Sequence, residues 1–251
     1  MISRRKLVTG LGVSAGGLLL GGCDKLNGSP DFRETLRLGE ALTYRAQRLI
    51  TDRTALAREF RPDQRSPVFR ANGTRMPAGD AYANHAAAKF ADWRLTIDGL
   101  VARPRAFTMA QLRSMPQRHQ ITRHDCVEGW SAIGKWTGVP LKLLLDLTGI
   151  RQTARYAVFH CADDYGPMNY YESIDLIDAF HPQTILAWML NDSLLPVPNG
   201  APLRLRVERM LGYKHAKYVE RIELVDSLAA IGNGKGGYWE DTNDYEWYAG
   251  S

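Results

Sequence analysis

Cysteine is scarce in this sequence, with only Cys23, Cys126 and Cys161 among 251 residues. It contains no Cys-x-x-Cys-His motif, which excludes covalent attachment of a c-type haem to this chain. A chain of this length buries a core without covalent help, so a disulfide is not expected to hold the fold together. Each thiol therefore needs a separate explanation.

Basic segments interleaved with aromatic residues are also missing. The formal net charge is +5, but Arg4, Arg5 and Lys6 belong to the first 22 residues, and the remainder carries only +2. Such a balance lacks the electrostatic footprint of a nucleic-acid-binding protein. The expected partners therefore include no nucleic acid.

The chain has no long apolar run either, since the stretch ending at Leu20 is too short for a confident membrane-spanning helix. It follows Arg4-Arg5 and leads into the small residues before Cys23. The pattern predicts a twin-arginine (Tat) export signal over residues 1–22 and a lipid on Cys23, with an uncleaved membrane anchor as the alternative. The expected location is the periplasm, with the N-terminal lipid holding the protein at a membrane surface. Because this export route carries folded proteins, the signal also favours a tightly bound redox cofactor.

Residues 23–81 are predicted to form a tether and N-terminal helices. Apolar residues such as Leu38 and Leu42 recur at helical spacing within 32–59, which predicts one or two amphipathic helices. Residues 61–80 are rich in proline and glycine and include Asn72-Gly73, which is typical of a loop.

Residues 82–251 are predicted to form one main domain, because no internal repeat divides them. Short strands mix with short helices without regular βαβ order, which predicts an α+β fold with a mixed sheet. The predicted strands cover 93–99, 120–124, 156–160, 203–207 and 219–225. The predicted helices cover 108–112, 141–147 and 184–190.

Three stretches of this domain carry candidate chemistry. They are Tyr82-Ala83-Asn84-His85; Cys126 to Trp130 with Trp136 to Leu141; and Asn199 to Arg204 followed by Gly212 to Tyr218. In this order they resemble the molybdopterin-binding domain of the sulfite oxidase family, in particular the bacterial periplasmic branch that includes the protein-methionine-sulfoxide reductase catalytic subunit. The resemblance covers residues 82–240. It implies a sulfite-oxidase-type fold and a molybdenum–molybdopterin cofactor.

Cys126, taken alone, could be a metal ligand, a nucleophile or a buried core thiol. The resemblance implies that it is the protein thiolate that holds molybdenum. A soft sulfur ligand suits a redox metal, and a nearby cation such as Arg123 would favour the ionised thiol.

The resemblance also implies a set of residues that contact the pterin and its phosphate. Lys214-His215-x-Lys217 beside Gly212 suits a phosphate cradle, because glycine lets backbone N–H groups approach an anion. Exposed lysines and a hydrogen-bonded loop histidine are the alternative interpretations, and a buried strand thiol is the alternative for Cys161. The implied contacts are Asn84, His85, Cys161, Asn199, Arg204, Lys214, His215 and Lys217.

Tyr165 and Arg204 join Cys126 as catalytic candidates. Tyr165 matches the tyrosine near the metal in the family, where a phenol hydrogen-bonds an oxo group or carries a proton. Arg204 lies between two apolar strand residues, so it either faces solvent or points into the site and orients the substrate.

This sequence differs from the family pattern at Ala83, where sulfite oxidases have an arginine that helps bind the sulfite anion. Without that cation, a neutral sulfoxide or another oxo-substrate, small or borne by a protein, is expected instead of sulfite. The missing haem motif implies that electrons pass to or from a separate membrane or periplasmic cytochrome.

Two other functions remain open from the sequence. A zinc protein would use His124, Cys126, His160 and Cys161, although their spacings are unusual for zinc. A lipid-anchored binding module would keep the fold without a metal.

Overall fold

The computed structural model describes residues 29–166 and 168–250. The predicted export signal at 1–22 and the lipid on Cys23 lie outside the described residues. The chain divides into one unit that ends at Thr51 and a second that begins at Asp52. No helix within the described ranges is both long and apolar enough to cross a membrane.

In the first unit, the described residues from Ser29 onward form one helix, α1 (Pro30–Ile50). Proline near its start suits a helix N-terminus, where the missing N–H costs nothing. Leu38, Leu42 and Leu49 are all exposed on this helix. The sequence predicted one or two helices over 32–59, and the structure has one, which ends before the second unit begins.

The second unit is built around two five-stranded sheets. The larger hydrophobic cluster includes Leu95 and Ile97, which alternate with more exposed residues along one strand. The first sheet has the order β2-β1-β10-β5-β6, with β1 (Arg94–Gly99), β2 (Arg105–Thr108), β5 (Tyr156–Asp164), β6 (Asn169–Asp175) and β10 (Val219–Val225). The second has the order β3-β4-β7-β8, with β9 also paired to β7; its strands are β3 (Arg118–Cys126), β4 (Trp130–Pro140), β7 (Ile185–Leu190), β8 (Ser193–Leu194) and β9 (Arg204–Arg206).

Strand directions make the first sheet mixed. β1 and β10 run parallel, with Thr96 opposite Arg221, whereas β5 is antiparallel to both β10 and β6. The predicted α+β class with a mixed sheet is confirmed.

The described part of the second unit has five short α-helices, of which the first precedes β1 and the others connect or follow strands: α2 (Asp80–Ala87), α3 (Met109–Ser114), α4 (Leu141–Thr148), α5 (Leu176–Ala179) and α6 (Tyr238–Asn243). Thr108 caps α3, because its hydroxyl accepts from Gln111 N (3.0 Å) while Gln111 Oε1 accepts from Thr108 N (2.8 Å). Gly149, at φ 70°, ends α4 in a conformation that glycine tolerates best.

The predicted helix at 184–190 is wrong, since Ile185–Leu190 forms the strand β7. This strand lies between β4 and the pair β8 and β9, and most of its side chains are buried. A short apolar run that is buried throughout loses the alternation that marks a strand, so periodicity does not distinguish it from a helix.

Candidate active site

A cleft opens where β3 and β5 end beside the chain segment that precedes β10. Four of the residues predicted from the sequence line it: Cys126, Tyr165, His215 and Lys217. It contains about 660 Å³ of space not filled by protein atoms.

Cys126 is the last residue of β3 and lies at the tight turn into β4. Gly129 N donates to Cys126 O (3.0 Å), and Gly129 adopts φ 84°, which favours glycine. Burial raises the pKa of the half-buried thiol, while the backbone N–H of Glu128 and the charge of Arg204 oppose that rise. The cation acting on this thiol is therefore Arg204, whereas Arg123 donates to Asp125 Oδ2 (2.9 Å) instead.

Arg204 is completely buried, which rules out the solvent-facing alternative. Its guanidinium donates to Asn199 O (3.1 Å) and Asn72 Oδ1 (3.1 Å), and its Nε has no partner. Burial, helped by the nearby Arg206, lowers its pKa to about 9. Within the described residues Arg204 thus has neutral partners only, whereas Arg206 is balanced by Glu208 (2.6 Å).

Two buried histidines, His124 and His215, lie beside these arginines with their rings 5.1 Å apart and nearly perpendicular. His215 Nε2 is 3.0 Å from Met210 O, so Nε2 carries the hydrogen and Nδ1 remains an acceptor without a partner. His124 Nδ1 accepts from Arg206 (3.0 Å), which leaves its Nε2–H without a partner. Burial and the arginine charges lower both pKa values well below the usual range, so both rings are neutral.

Lys217 fixes the loop that forms one side of the cleft. Its Nζ donates to the carbonyl oxygens of Asn72 (2.6 Å), Thr74 and Pro198 (3.1 Å). Burial, together with Arg204, lowers the pKa of Lys217 to about 7.

Lys214 points elsewhere, although it belongs to the same predicted phosphate cradle. Its Nζ donates to Glu240 Oε1 (2.7 Å) and to Glu172 Oε1, and all three side chains are almost fully buried. The two lysines of the predicted cradle therefore lie in different places. Lys217 lines the cleft, whereas Lys214 belongs to a buried ion triad.

Asp163 and Tyr165 reach the cleft from the end of β5. Burial raises the pKa of Asp163 to about 7, and its Oδ1 has no partner. The Tyr165 hydroxyl accepts from Thr74 N (3.3 Å), and its ring packs 4.7 Å from that of Tyr238. Further aromatic rings complete this wall: Tyr170, Tyr213, Trp239 and Tyr245.

Several predicted cofactor contacts lie outside the lining of this cleft. Asn84 is exposed on α2, and His85 Nδ1 on the same helix is 2.8 Å from Asp92 Oδ1. Cys161 is buried and lines a different cavity, while Asn199 touches the site through the carbonyl that Arg204 binds. Their assignment as cofactor contacts stays a prediction.

The sequence analysis did not assign Asn72, Gly73 or Asp163 to the site, although all three line the cleft. Asn72-Gly73 was predicted only as part of a loop, and the sequence around Asp163 gave no reason to assign it a role. No spacing pattern links these residues, because the fold joins positions more than 100 residues apart.

The zinc hypothesis lacks geometric support, because nowhere in 29–166 and 168–250 do three His, Cys, Asp or Glu side chains gather as a possible metal site. His160 Nε2 lies 2.9 Å from Glu223, and His124 is held by Arg206, so the four predicted ligands do not share one site.

The arrangement fits an anionic cofactor that carries a soft metal. It offers a thiol at Cys126, two buried cations with neutral partners at Arg204 and Lys217, and unpartnered ring nitrogens on the two histidines. Gly212 is needed beside them, since a Cβ there would lie 2.7 Å from the ring of His124.

Comparisons with known proteins agree with this chemistry. The family described as "Oxidoreductase molybdopterin binding domain" matches residues 82–230. The putative protein-methionine-sulfoxide reductase subunit YedZ1 of Azospira oryzae is 41% identical over 76% of this chain and 70% of its own length. The protein-methionine-sulfoxide reductase catalytic subunit MsrP of Ralstonia nicotianae is 34% identical over 53% of this chain and 44% of its own length.

Among solved structures, the sulfane dehydrogenase SoxCD from Paracoccus pantotrophus matches with a TM-score of 0.51 and 24% identity. The match covers 55% of this chain and 39% of that one, and it supports the fold alone. The expected sulfite-oxidase-type fold and molybdenum cofactor are confirmed. Since the family match spans more than half of the sequence, the chain belongs to the oxidoreductase molybdopterin-binding domain family and is a molybdopterin-dependent enzyme.

Proposed function

We propose that this enzyme is exported and reduces a sulfoxide-type substrate, with electrons supplied by a separate protein. The names of the two curated relatives support this substrate class. The observation that carries the proposal is the lining of the cleft, which combines several aromatic rings with the carboxyl group of Glu128. Negative charge repels sulfite, whereas aromatic rings make favourable contacts with a neutral sulfur compound.

The bound cofactor supplies two-electron oxygen-atom transfer at molybdenum. Cys126 would hold the metal through its thiolate, and Arg204 and Lys217 would balance the negative charge of the pterin phosphate. His215 offers an acceptor nitrogen to a pterin N–H. The Tyr165 hydroxyl lies where it can donate to a substrate oxygen, since it already accepts from Thr74 N.

The proposed location is the periplasmic face of a membrane. Arg4-Arg5, the apolar stretch that follows and the small residues before Cys23 support export and lipidation. The exposed leucines of α1 suit a helix that lies on a membrane surface. A membrane or periplasmic cytochrome is the proposed electron partner, because this chain has no haem-attachment motif.

The first experiment measures metal content and two activities on protein exported through its own leader. We expect about one molybdenum and no zinc per chain, because the family binds molybdopterin and no three metal-ligating side chains gather among the described residues. We also expect dithionite-reduced benzyl viologen to drive reduction of methionine sulfoxide or dimethyl sulfoxide. Absence of molybdenum from a competent host, or sulfite oxidation faster than sulfoxide reduction, would contradict the proposal.

Two cysteine variants serve as a matched pair in this experiment. Cys126→Ala should lose activity and the thiolate ligand of the metal. Cys161→Ala should keep the thiolate ligand of the metal, because its sulfur lies in another cavity and donates to Phe159 O (3.8 Å), whereas loss of the cofactor in this variant alone would support the predicted pterin contact. Equal loss of molybdenum in both variants would show that the thiol effect is structural.

Export and lipidation need their own test. Incorporation of labelled palmitate should disappear in Cys23→Ala, and replacement of both Arg4 and Arg5 by lysine should retain the protein in the cytoplasm. A palmitate-free wild-type protein in the membrane fraction would instead favour the uncleaved anchor.

A further inference from the structure

We propose that Asp163 is the residue that delivers a proton to the oxygen atom released from the substrate. The proposal rests on the proposed sulfoxide reduction and names one catalytic group for it. Asp163 lines the same cleft as Cys126 and Tyr165, yet only 2% of its surface is exposed. Its Oδ1 is buried without a hydrogen-bond partner.

An unpartnered carboxyl oxygen in a buried position is costly, and native structures rarely retain one without a reason. Hydrogen bonding to the side chain of Thr74 lowers the pKa of Asp163, yet Oδ1 itself has no partner. That free oxygen belongs to a side chain that lines the cleft where a substrate would enter. The position therefore suits a group that exchanges a proton with a ligand.

The surroundings of Asp163 favour a carboxyl that gains and loses its proton near neutral pH. Burial raises its pKa to about 7, while the ammonium group of Lys217 acts in the opposite direction. Glu220 adds a smaller rise. A general acid works best when its pKa lies near the operating pH. The other titratable groups that interact with Asp163 are Tyr82, Cys161, Tyr165, Tyr170 and Tyr218.

The other proton-carrying groups of the cleft are less suited to the task. Burial raises the pKa of Tyr165, which makes its phenol a weaker acid. Glu128 accepts from Trp130 Nε1 (2.9 Å) and from Gly73 N (3.4 Å), so both of its oxygens are engaged. His215 is neutral, and its unpartnered ring nitrogen Nδ1 is an acceptor and not a donor.

Reduction of a sulfoxide consumes two electrons and two protons. The S–O bond breaks and the sulfur leaves as a sulfide with its electron pair. The oxygen takes up two protons and two electrons, which the one-electron donor protein supplies in two separate encounters, and it leaves as water. Asp163 supplies one of those protons and is reprotonated from solvent, which supplies the second.

The test compares wild-type holoenzyme with Asp163→Asn, Asp163→Glu and the control Asp164→Asn. Asp164 is exposed, and its Oδ1 accepts from Gly166 N (2.6 Å), a bond that asparagine retains. We expect Asp163→Asn to lower kcat about 10²- to 10⁴-fold, the usual range for a general acid, with KM and molybdenum content little changed. Asp163→Glu should recover part of the rate, and Asp164→Asn should resemble the wild type.

The pH profile gives a second readout that a purely structural role would not change. In the wild type and in Asp164→Asn, kcat should fall as pH rises through about 7, because the protonated carboxyl is lost. Asp163→Asn should lack this fall. A variant at Asp163 that keeps kcat within about twofold and keeps the wild-type profile would overturn the proposal.

A third measurement needs no substrate and separates this proposal from the proposed function. The midpoint potential of the bound metal is followed against pH by spectroscopic redox titration. We expect the slope of the potential against pH to change at pH about 7 in the wild type. In Asp163→Asn this change should be absent or should move to lower pH, because Lys217 loses the carboxylate that raises its pKa. A molybdenum-loaded wild type that reduces no sulfoxide would overturn the proposed function. Identical potential profiles in the two proteins would overturn the role of Asp163.

Discussion

Lys214 and Lys217 are separated by only two residues and are both almost fully buried, yet they lie in opposite surroundings. Lys214 contacts the carboxylates of Glu172 and Glu240, whereas Lys217 contacts three backbone carbonyl groups. Burial alone would lower the pKa of Lys214, but the two carboxylates outweigh it and raise that pKa. Burial and Arg204 lower the pKa of Lys217 to about 7.

The difference shows which buried charges are balanced by other groups of the protein and which remain available to balance the charge of a ligand. The charge of Lys214 is balanced by carboxyl groups of the protein. The ion pair between Lys214 and Glu240 also holds α6 in position beside the aromatic wall of the cleft. Lys217 and Arg204 have neutral acceptors, so an anion in the cleft would complete their balance. The sequence predicted that Lys214 and Lys217 belong to one phosphate cradle. In the structure the two lysines have different roles, because only Lys217 is left to balance the charge of a ligand.

Among the substitutions that test this difference, Lys214→Met should have the largest effect on stability. It leaves two carboxyl groups facing each other in the interior, and we expect the free energy of unfolding to fall by about 3–5 kcal/mol. Urea denaturation at neutral pH measures this loss. Glu172→Gln is the matched control, because burial and the neighbouring Glu240 raise the pKa of Glu172, so an amide there resembles its protonated form and keeps the Lys214–Glu240 pair; it should destabilise less than Lys214→Met. Wild-type stability in Lys214→Met would show that the triad contributes nothing.

Lys217→Met should have a smaller effect on stability and a specific effect on the cofactor. Loss of the ammonium group leaves three carbonyl groups without their donor, which costs about 1–3 kcal/mol. Molybdenum content should fall as well, since a cation that balances the cofactor is removed. Lys142→Met breaks an exposed pair with Asp146 and a contact with the ring of Phe180, neither of which lines the cleft, so it should keep full metal content. Equal metal content in both variants would argue against a cofactor role for Lys217.

Local patterns in the sequence predicted most of the elements around this site. The alternation of Val219–Val225 and the capping residue Thr108 gave a strand and a helix that the structure confirms. These signals are local, because side-chain alternation and capping depend on neighbours within a few residues. The buried strand Ile185–Leu190 escaped the same reasoning, since burial on both faces removes its pattern.

The site was less accessible to sequence reasoning for a related reason. Cys126, Tyr165 and Arg204 were found through a family resemblance, whereas Asn72 and Asp163 carried no pattern of their own. Asn72 reaches Arg204 across a separation of 132 residues, and only the tertiary fold establishes that contact. Likewise, the sequence gives no means to tell that Lys214 meets carboxylates and Lys217 meets carbonyls.

The smallest of the expected effects is a shift in the pH dependence of kcat in Lys217→Met. The ammonium of Lys217 favours the ionised form of Asp163 and so lowers the pKa of that carboxyl. Without it the pKa of Asp163 should rise, the protonated acid should persist to higher pH, and the fall in kcat should move upward in pH. The metal-loaded fraction of Lys217→Met is assayed beside the wild type with the same sulfoxide and viologen donor. A shift toward lower pH would mean that Lys217 does not act on Asp163 as a cation, and its three carbonyl contacts would then be its whole role.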